Sequence, residues 1–108
     1  MTKPHVIKII ADTNSHQIIL RGPYNTWLEK LDLRNSEDCE REICCKDTDC
    51  IFSAINEAGL VDEWRHKKMT KDFMQKIKYD VICIIDRLRV DQKLLYTDWT
   101  VECEMTND

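Results

Sequence analysis

The sequence predicts an α+β domain with an N-terminal β-hairpin, several helices, and a C-terminal strand that completes a small, mainly antiparallel sheet. Three observations predict this class. Two β-rich runs lie near the N-terminus, a long amphipathic segment follows residue 70, and an alternating pattern follows that segment. A length of 108 residues suits one compact domain spanning residues 1–108.

The first element is the hairpin. Residues 5–11 and 16–21 are rich in β-branched side chains, and the four residues between them, Asp-Thr-Asn-Ser, favour a turn. In the first run Ile7 and Ile9 point to one face, while Lys8 points to the other. The charge of Lys8 therefore predicts that the second face of the sheet is partly exposed to solvent.

The next part of the chain has the local signals of two short helices. Thr26 and Glu29 have the spacing of a capping box, which predicts a helix over residues 26–33. An acidic first turn then predicts a second helix over residues 36–45, because acids are favoured at the positive end of the helix dipole.

A third helix is predicted to begin at Thr48 or Asp49 and to stop before Gly59, since glycine is common just past a helix end. Residues 60–69 then form a connector with room for one helical turn at 61–64.

The strongest signal is an amphipathic helix over residues 70–90. Thr70 suits the N-cap position. Tyr79, Ile82 and Cys83 lie outside the apolar arc, so we expect either partial cover by the preceding short helices or a partner at these positions. The arc itself comprises Phe73, Met74, Ile77, Val81, Ile84, Ile85 and Leu88.

The last predicted element is a strand over residues 95–103. Apolar and polar side chains alternate along this segment with the period of a strand that has one face buried. We expect this strand to join the N-terminal hairpin.

The charge and the distribution of apolar residues limit the cellular compartments and the classes of partner that we expect. A net charge of −4 disfavours a protein whose whole surface binds nucleic acid. Lys8 interrupts the N-terminal apolar run, and no run approaches the roughly 18 apolar residues of a membrane span. We therefore expect a cytoplasmic (or nuclear) protein with reduced thiols and no membrane partner.

Four cysteines present one alternative, a zinc or redox site. Cys39, Cys44, Cys45 and Cys50 have the spacing C-x4-C-C-x4-C, and four thiolates would complete a tetrahedral zinc site. Common zinc sites instead use C-x2-C turns, which aim two sulfur atoms at one point. The spacing therefore favours cysteines that act as small apolar side chains.

Catalytic patterns are scarce in the sequence. Two glycines allow no phosphate-binding loop, and nothing places a cysteine beside His5, His16 or His66 to make a nucleophile. We expect a protein that is not an enzyme and that uses no cofactor.

A basic segment presents a second alternative, nucleic-acid binding. Trp64 could stack on a base while the neighbouring cations neutralise phosphates. The competing interpretation is a solvated loop with Trp64 in the core. The cations are Arg65, Lys67, Lys68 and Lys71.

The function that the sequence favours is protein binding. The sequence has enough apolar residues for a stable core but no set of catalytic residues. This combination indicates a small module that occupies a surface of a larger macromolecule, as an inhibitor or adaptor. A viral or phage protein directed at a host factor is one example. Tyr79, Ile82 and Trp64 are the predicted partner-binding residues. Acids cluster between residues 37 and 49 and near the C-terminus, and this uneven charge is also compatible with a homodimer.

Overall fold

The structure, a computed structural model, describes residues 5–12, 17–22, 27–32, 39–41, 46–65, 70–96 and 98–106. These residues form an α+β fold, which confirms the predicted class. The elements, in chain order, are β1 (His5–Asp12), β2 (Gln17–Arg21), β3 (Trp27–Asp32), β4 (Cys39–Arg41), α1 (Lys46–Glu57), α2 (Leu60–Arg65), α3 (Lys71–Val90) and β5 (Trp99–Thr106).

The strands form one sheet in the order β4-β3-β2-β1-β5. The first four strands pair with their sequence neighbours in antiparallel fashion. The predicted hairpin is confirmed, with Asp12 opposite Gln17 at its closed end. The predicted C-terminal strand does join the hairpin, and it lies parallel to β1, from His5 opposite Trp99 to Asp12 opposite Thr106.

The two short helices predicted before residue 46 are wrong where the structure describes them. Residues 27–32 form β3, which pairs with β2 through a register shift between Leu20 and Arg21. Residues 39–41 form β4, which pairs with β3. The capping-box signal at residue 26 is local, and pairing with the exposed edge of β2 outweighs it.

The helices after residue 45 follow the prediction more closely. Helix α1 begins at Lys46 and is followed by Gly59, whose φ of 72° is the left-handed conformation expected there. Helix α2 occupies most of the predicted connector. Helix α3 is capped by Thr70, whose hydroxyl accepts the Phe73 N–H at 3.1 Å.

The core lies between one face of the sheet and the helices. Ile7 and Ile9 of β1 are buried there, as are Ile18 and Leu20 of β2. The buried residues of α3 are those that the periodicity predicts. Lys8 lies on the opposite face and is half-exposed, as predicted. None of the described helices is both long and apolar enough to cross a bilayer.

Candidate protein-interaction surface

Helix α3 exposes a short apolar ridge. Tyr79 is 67% exposed and Ile82 is 36% exposed, and Cys83 is also exposed. Positions three and four apart are neighbours on a helix surface, so these side chains form one surface, which we call the α3 ridge. A hydrogen bond with Cys83 raises the pKa of the Tyr79 hydroxyl. Tyr79 is therefore mostly uncovered, whereas Ile82 is partly covered.

A groove runs between α3 and β5, beside the ridge. Its volume is about 250 Å³. Ile82 belongs to both the ridge and the groove, so the two form one continuous surface. We call this depression the β5 groove; its lining consists of Ile82, Ile85, Asp86, Arg89, Trp99, Thr100 and Val101.

The polar side of the β5 groove is an ion pair between Asp86 and Arg89. Arg89 Nη1 lies 2.7 Å from Asp86 Oδ1, and Arg89 Nη2 donates to the Trp99 carbonyl at 2.9 Å. Ile85, Trp99 and Val101 are each less than 10% exposed and present apolar atoms to the same depression. The groove therefore combines a mostly apolar lining with one charged side.

Further apolar side chains are exposed near the start of β5. Leu95 and Tyr96 are exposed in the segment between α3 and β5, and Val90 is exposed at the end of α3. The Tyr96 ring stacks on the imidazole of His5 with centroids 4.3 Å apart, and Trp99 Nε1 donates to the Tyr96 carbonyl at 2.8 Å. Tyr96 is therefore held in place by contacts with two other residues.

Trp64, the third predicted partner-binding residue, is a core residue. Its side chain is 0% exposed, and Nε1 donates to Asp80 Oδ2 at 3.1 Å. Lys76 lies 3.0 Å from the same oxygen and 2.7 Å from Glu63. Glu63 and then Asp80 raise the pKa of Lys76 through these hydrogen bonds. The Trp64 ring thus helps to fix α2 on α3 and offers no surface to a partner.

The nucleic-acid alternative loses its stacking ring for the same reason. Arg65, the next residue of that segment, is mostly buried and lies 3.1 Å from Asp62. Lys71 is exposed in the first turn of α3, whereas Lys67 and Lys68 lie outside the described residues. The described part of the segment therefore does not combine an exposed ring with free cations.

The zinc alternative can be followed at two of its four cysteines. Cys39 lies in β4, and Cys50 is half-buried in α1 against the core. Cys44 and Cys45 lie outside the described residues. Within the described ranges no group of three or more potential metal ligands comes together. Burial raises the pKa of the Cys103 thiol, which favours its neutral form.

The sequence indicates the residues of the α3 ridge but not the β5 groove beside them. Tyr79 and Ile82 stand out because their helical phase departs from the buried arc. The groove depends on the packing of α3 against β5, which no local pattern specifies. Glu102 and Glu104, at alternate positions of the predicted strand, indicate only that this strand lies at an edge, since charged side chains are typical of edge strands.

The comparisons with known proteins found no match, so the interpretation of this surface rests on its geometry. No protein-family model matches the chain, and no curated protein or solved structure matches it.

Proposed function

We propose that this protein acts by binding another protein through the α3 ridge and the β5 groove, as an inhibitor or adaptor that occupies a surface of a larger macromolecule. The observation that carries the proposal is the exposure of Tyr79 and Ile82 directly beside an open, largely apolar groove. Contiguous exposed apolar surface of this kind is typical of interaction sites.

The chemistry of the surface suits an interface. Tyrosine is enriched at interface positions that contribute most to binding, because its ring is large and rigid and its hydroxyl can find a polar partner. Ile82 lies where the ridge meets the groove, so an apolar side chain from a partner would contact both. The ion pair of Asp86 and Arg89 supplies a polar border around this contact.

Affinity capture with a matched pair of variants tests the proposal. Ile82→Asp places a carboxylate at the centre of the surface, whereas Asn56→Asp places the same group at an exposed position of α1. We expect the wild-type chain and Asn56→Asp to recover the same protein from a lysate of the source cells. Ile82→Asp should recover at least roughly fivefold less, since losing a central interface contact costs ~1–3 kcal/mol.

The stability of each variant must be measured in parallel by urea unfolding. Equal recovery by Ile82→Asp and the wild-type chain, at equal stability, would show that the interface lies elsewhere. Salt-dependent binding to oligonucleotides, unaffected by Ile82→Asp, would replace protein binding with the nucleic-acid alternative.

A further inference from the structure

Strand β5 is an edge of the sheet. It pairs with β1 on one side, and no described strand pairs with its other side. Edge strands present backbone N–H and C=O groups that can pair with a strand of another chain. The opposite edge is β4, which spans three residues, whereas β5 spans eight. Of the two described edges, β5 therefore offers the longer template.

The hydrogen bonds of β5 identify which backbone groups face outward. The His5 N–H donates to the Asp98 carbonyl at 2.7 Å, and His5 lies opposite Trp99. In a parallel ladder with this register, even-numbered residues of β5 direct their backbone groups toward β1, and odd-numbered residues direct theirs away. The Trp99 carbonyl fits this geometry, because it accepts a hydrogen bond from the Arg89 side chain and not from β1. The outward groups beyond Trp99 belong to Val101, Cys103 and Met105.

The side chains of β5 give its two faces different chemistry. Val101 lines the groove, and Cys103 Sγ donates to the Met74 carbonyl of α3 at 3.6 Å, so the odd-numbered side chains face the helices. Glu102 and Glu104 are exposed on the open face of the sheet. Lys8 lies 3.6 Å from Glu104, while Glu102 has no ion-pair partner among the described residues.

These acids disfavour a second copy of the chain as the partner strand in the two registers that overlap most of β5. In a symmetric antiparallel pair centred on Cys103, Glu102 would lie opposite Glu104 of the second copy. In a pair centred on Glu102, that residue would lie opposite itself. Like charges directly opposite each other destabilise a strand pair. An edge with this charge is complementary to a strand with basic side chains.

We propose that the free edge of β5 binds an extended segment of a partner protein, which adds to the sheet as a further strand. Basic residues at alternate positions of the segment face Glu102 and Glu104, and the apolar residues between them face the helices and enter the β5 groove. Backbone hydrogen bonds form with Val101, Cys103 and Met105. This inference rests on the proposed function and specifies the partner's chemistry.

Short peptides provide the test, with amide chemical shifts measured by NMR. The probe alternates lysine and valine, one control alternates glutamate and valine, and a second control is the lysine–valine peptide with N-methyl groups on the amides along one edge. We expect the probe to shift the amides of Val101, Cys103 and Met105. The acidic control should cause no shift, and N-methylation should weaken binding by about fivefold or more, since each lost hydrogen bond contributes ~1 kcal/mol.

Charge reversal on the protein separates strand pairing from general attraction. Glu102→Lys combined with Glu104→Lys should exchange the preference, so that the glutamate–valine peptide binds and the lysine–valine peptide does not. Glu57→Lys combined with Asp62→Lys changes the net charge equally at exposed sites on α1 and α2 and should leave the preference unchanged. Equal binding of the N-methylated peptide, or shifts away from β5, would overturn the proposal.

The outcomes also separate this inference from the function on which it rests. If the captured partner depends on Ile82 while the charge-reversed protein binds it unchanged, the surface is an interface and strand addition is wrong. A concentration-dependent dimer that protects the β5 amides from hydrogen exchange would identify a second copy as the occupant and would also overturn the proposal.

Discussion

Single residues fix the positions of whole elements in this protein, and Asp47 sets the start of β5. Its carboxylate is 1% exposed and accepts the N–H groups of Leu95 and Tyr96, both at 2.9 Å. The sequence pattern predicts a strand from residue 95. The two donors are bound to Asp47, however, and β5 begins at Trp99.

We expect Asp47→Ala to lower the free energy of unfolding by about 2 kcal/mol or more, because two hydrogen bonds to a charged acceptor are lost in a buried site. Urea unfolding measures this change. Asp72→Ala is the matched control, since Asp72 is an exposed acid in the first turn of α3 and contributes only a dipole interaction of up to ~1 kcal/mol. Equal losses for the two variants would mean that the bonds from Asp47 add nothing beyond the dipole.

Lys76 makes a pH-dependent contribution to stability. Its pKa is raised from the ordinary value of 10.5 because Glu63 and Asp80 stabilise the charged amine. A raised pKa in the folded state stabilises the protein fully below pH 10.5, and this contribution is lost as the pH rises through the folded-state pKa. The difference in unfolding free energy between the wild-type chain and Lys76→Met should therefore be constant near neutral pH and shrink above 10.5.

Urea unfolding at a series of pH values tests this expectation. Glu63→Gln removes the group with the largest effect on Lys76, so in that background the effect of Lys76→Met should be smaller. A difference that stays constant as the pH rises above 10.5 would contradict the assignment.

The sequence predicts the candidate site only at residues whose position around their own helix decides whether they are exposed. Tyr79 and Ile82 depart from the apolar arc of their own helix, and the structure exposes both. Trp64 is a predicted partner-binding residue because an exposed tryptophan is a common interface anchor. The structure instead buries it, with a hydrogen bond to Asp80 of another helix, and no local pattern reports that contact.

At the scale of elements, the C-terminus of α3 contains a conformation that its residue type disfavours. Gln92 has φ 56°, and its N–H donates to the Arg89 carbonyl at 3.0 Å while the Lys93 N–H donates to the Leu88 carbonyl at 3.0 Å. These two bonds define a Schellman motif, in which glycine is the usual residue at the left-handed position. The Leu88 and Arg89 carbonyls at the end of α3 are therefore hydrogen-bonded, and this requires a strained backbone conformation at Gln92.

We expect Gln92→Gly to raise the free energy of unfolding by about 1 kcal/mol, because glycine adopts the left-handed conformation without the steric cost of a side chain. Thermal or urea unfolding measures the gain. Lys93→Gly is the control, since that residue is also exposed but has no positive φ, and it should be neutral or destabilising. A loss of stability in Gln92→Gly would show that the glutamine side chain compensates for the strain.

The elements that the sequence predicted correctly are those with a clear local signal. Helix α3 repeats its apolar residues at helical spacing, β5 alternates, and the two strands of the hairpin are β-branched runs on either side of a turn-forming segment. Residues 27–32 carry apolar side chains at Trp27, Leu28 and Leu31, a set that fits one face of a helix better than one face of a strand. Their strand conformation follows from pairing with β2, which is a tertiary interaction that propensity does not report.

At the scale of the whole molecule, the helices carry the chain from one edge of the sheet to the other. The chain leaves the sheet at β4, passes through α1, α2 and α3, and returns at the opposite edge as β5. Because α3 is the last helix before this return, it packs on β5 and forms the groove with it. Strand β1 consequently becomes an interior strand, with an antiparallel neighbour on one side and a parallel neighbour on the other.

The parallel pairing of β1 and β5 also has a mechanical consequence. Both strands begin at the same end of the sheet, so residues 5 and 106 lie at opposite ends. Tension applied between these two points pulls the strands lengthwise past each other and loads their hydrogen bonds together. Single-molecule force spectroscopy should therefore show a higher rupture force with handles at positions 5 and 106 than at 12 and 106. The second pair lies at one end of the ladder, where the bonds open one after another.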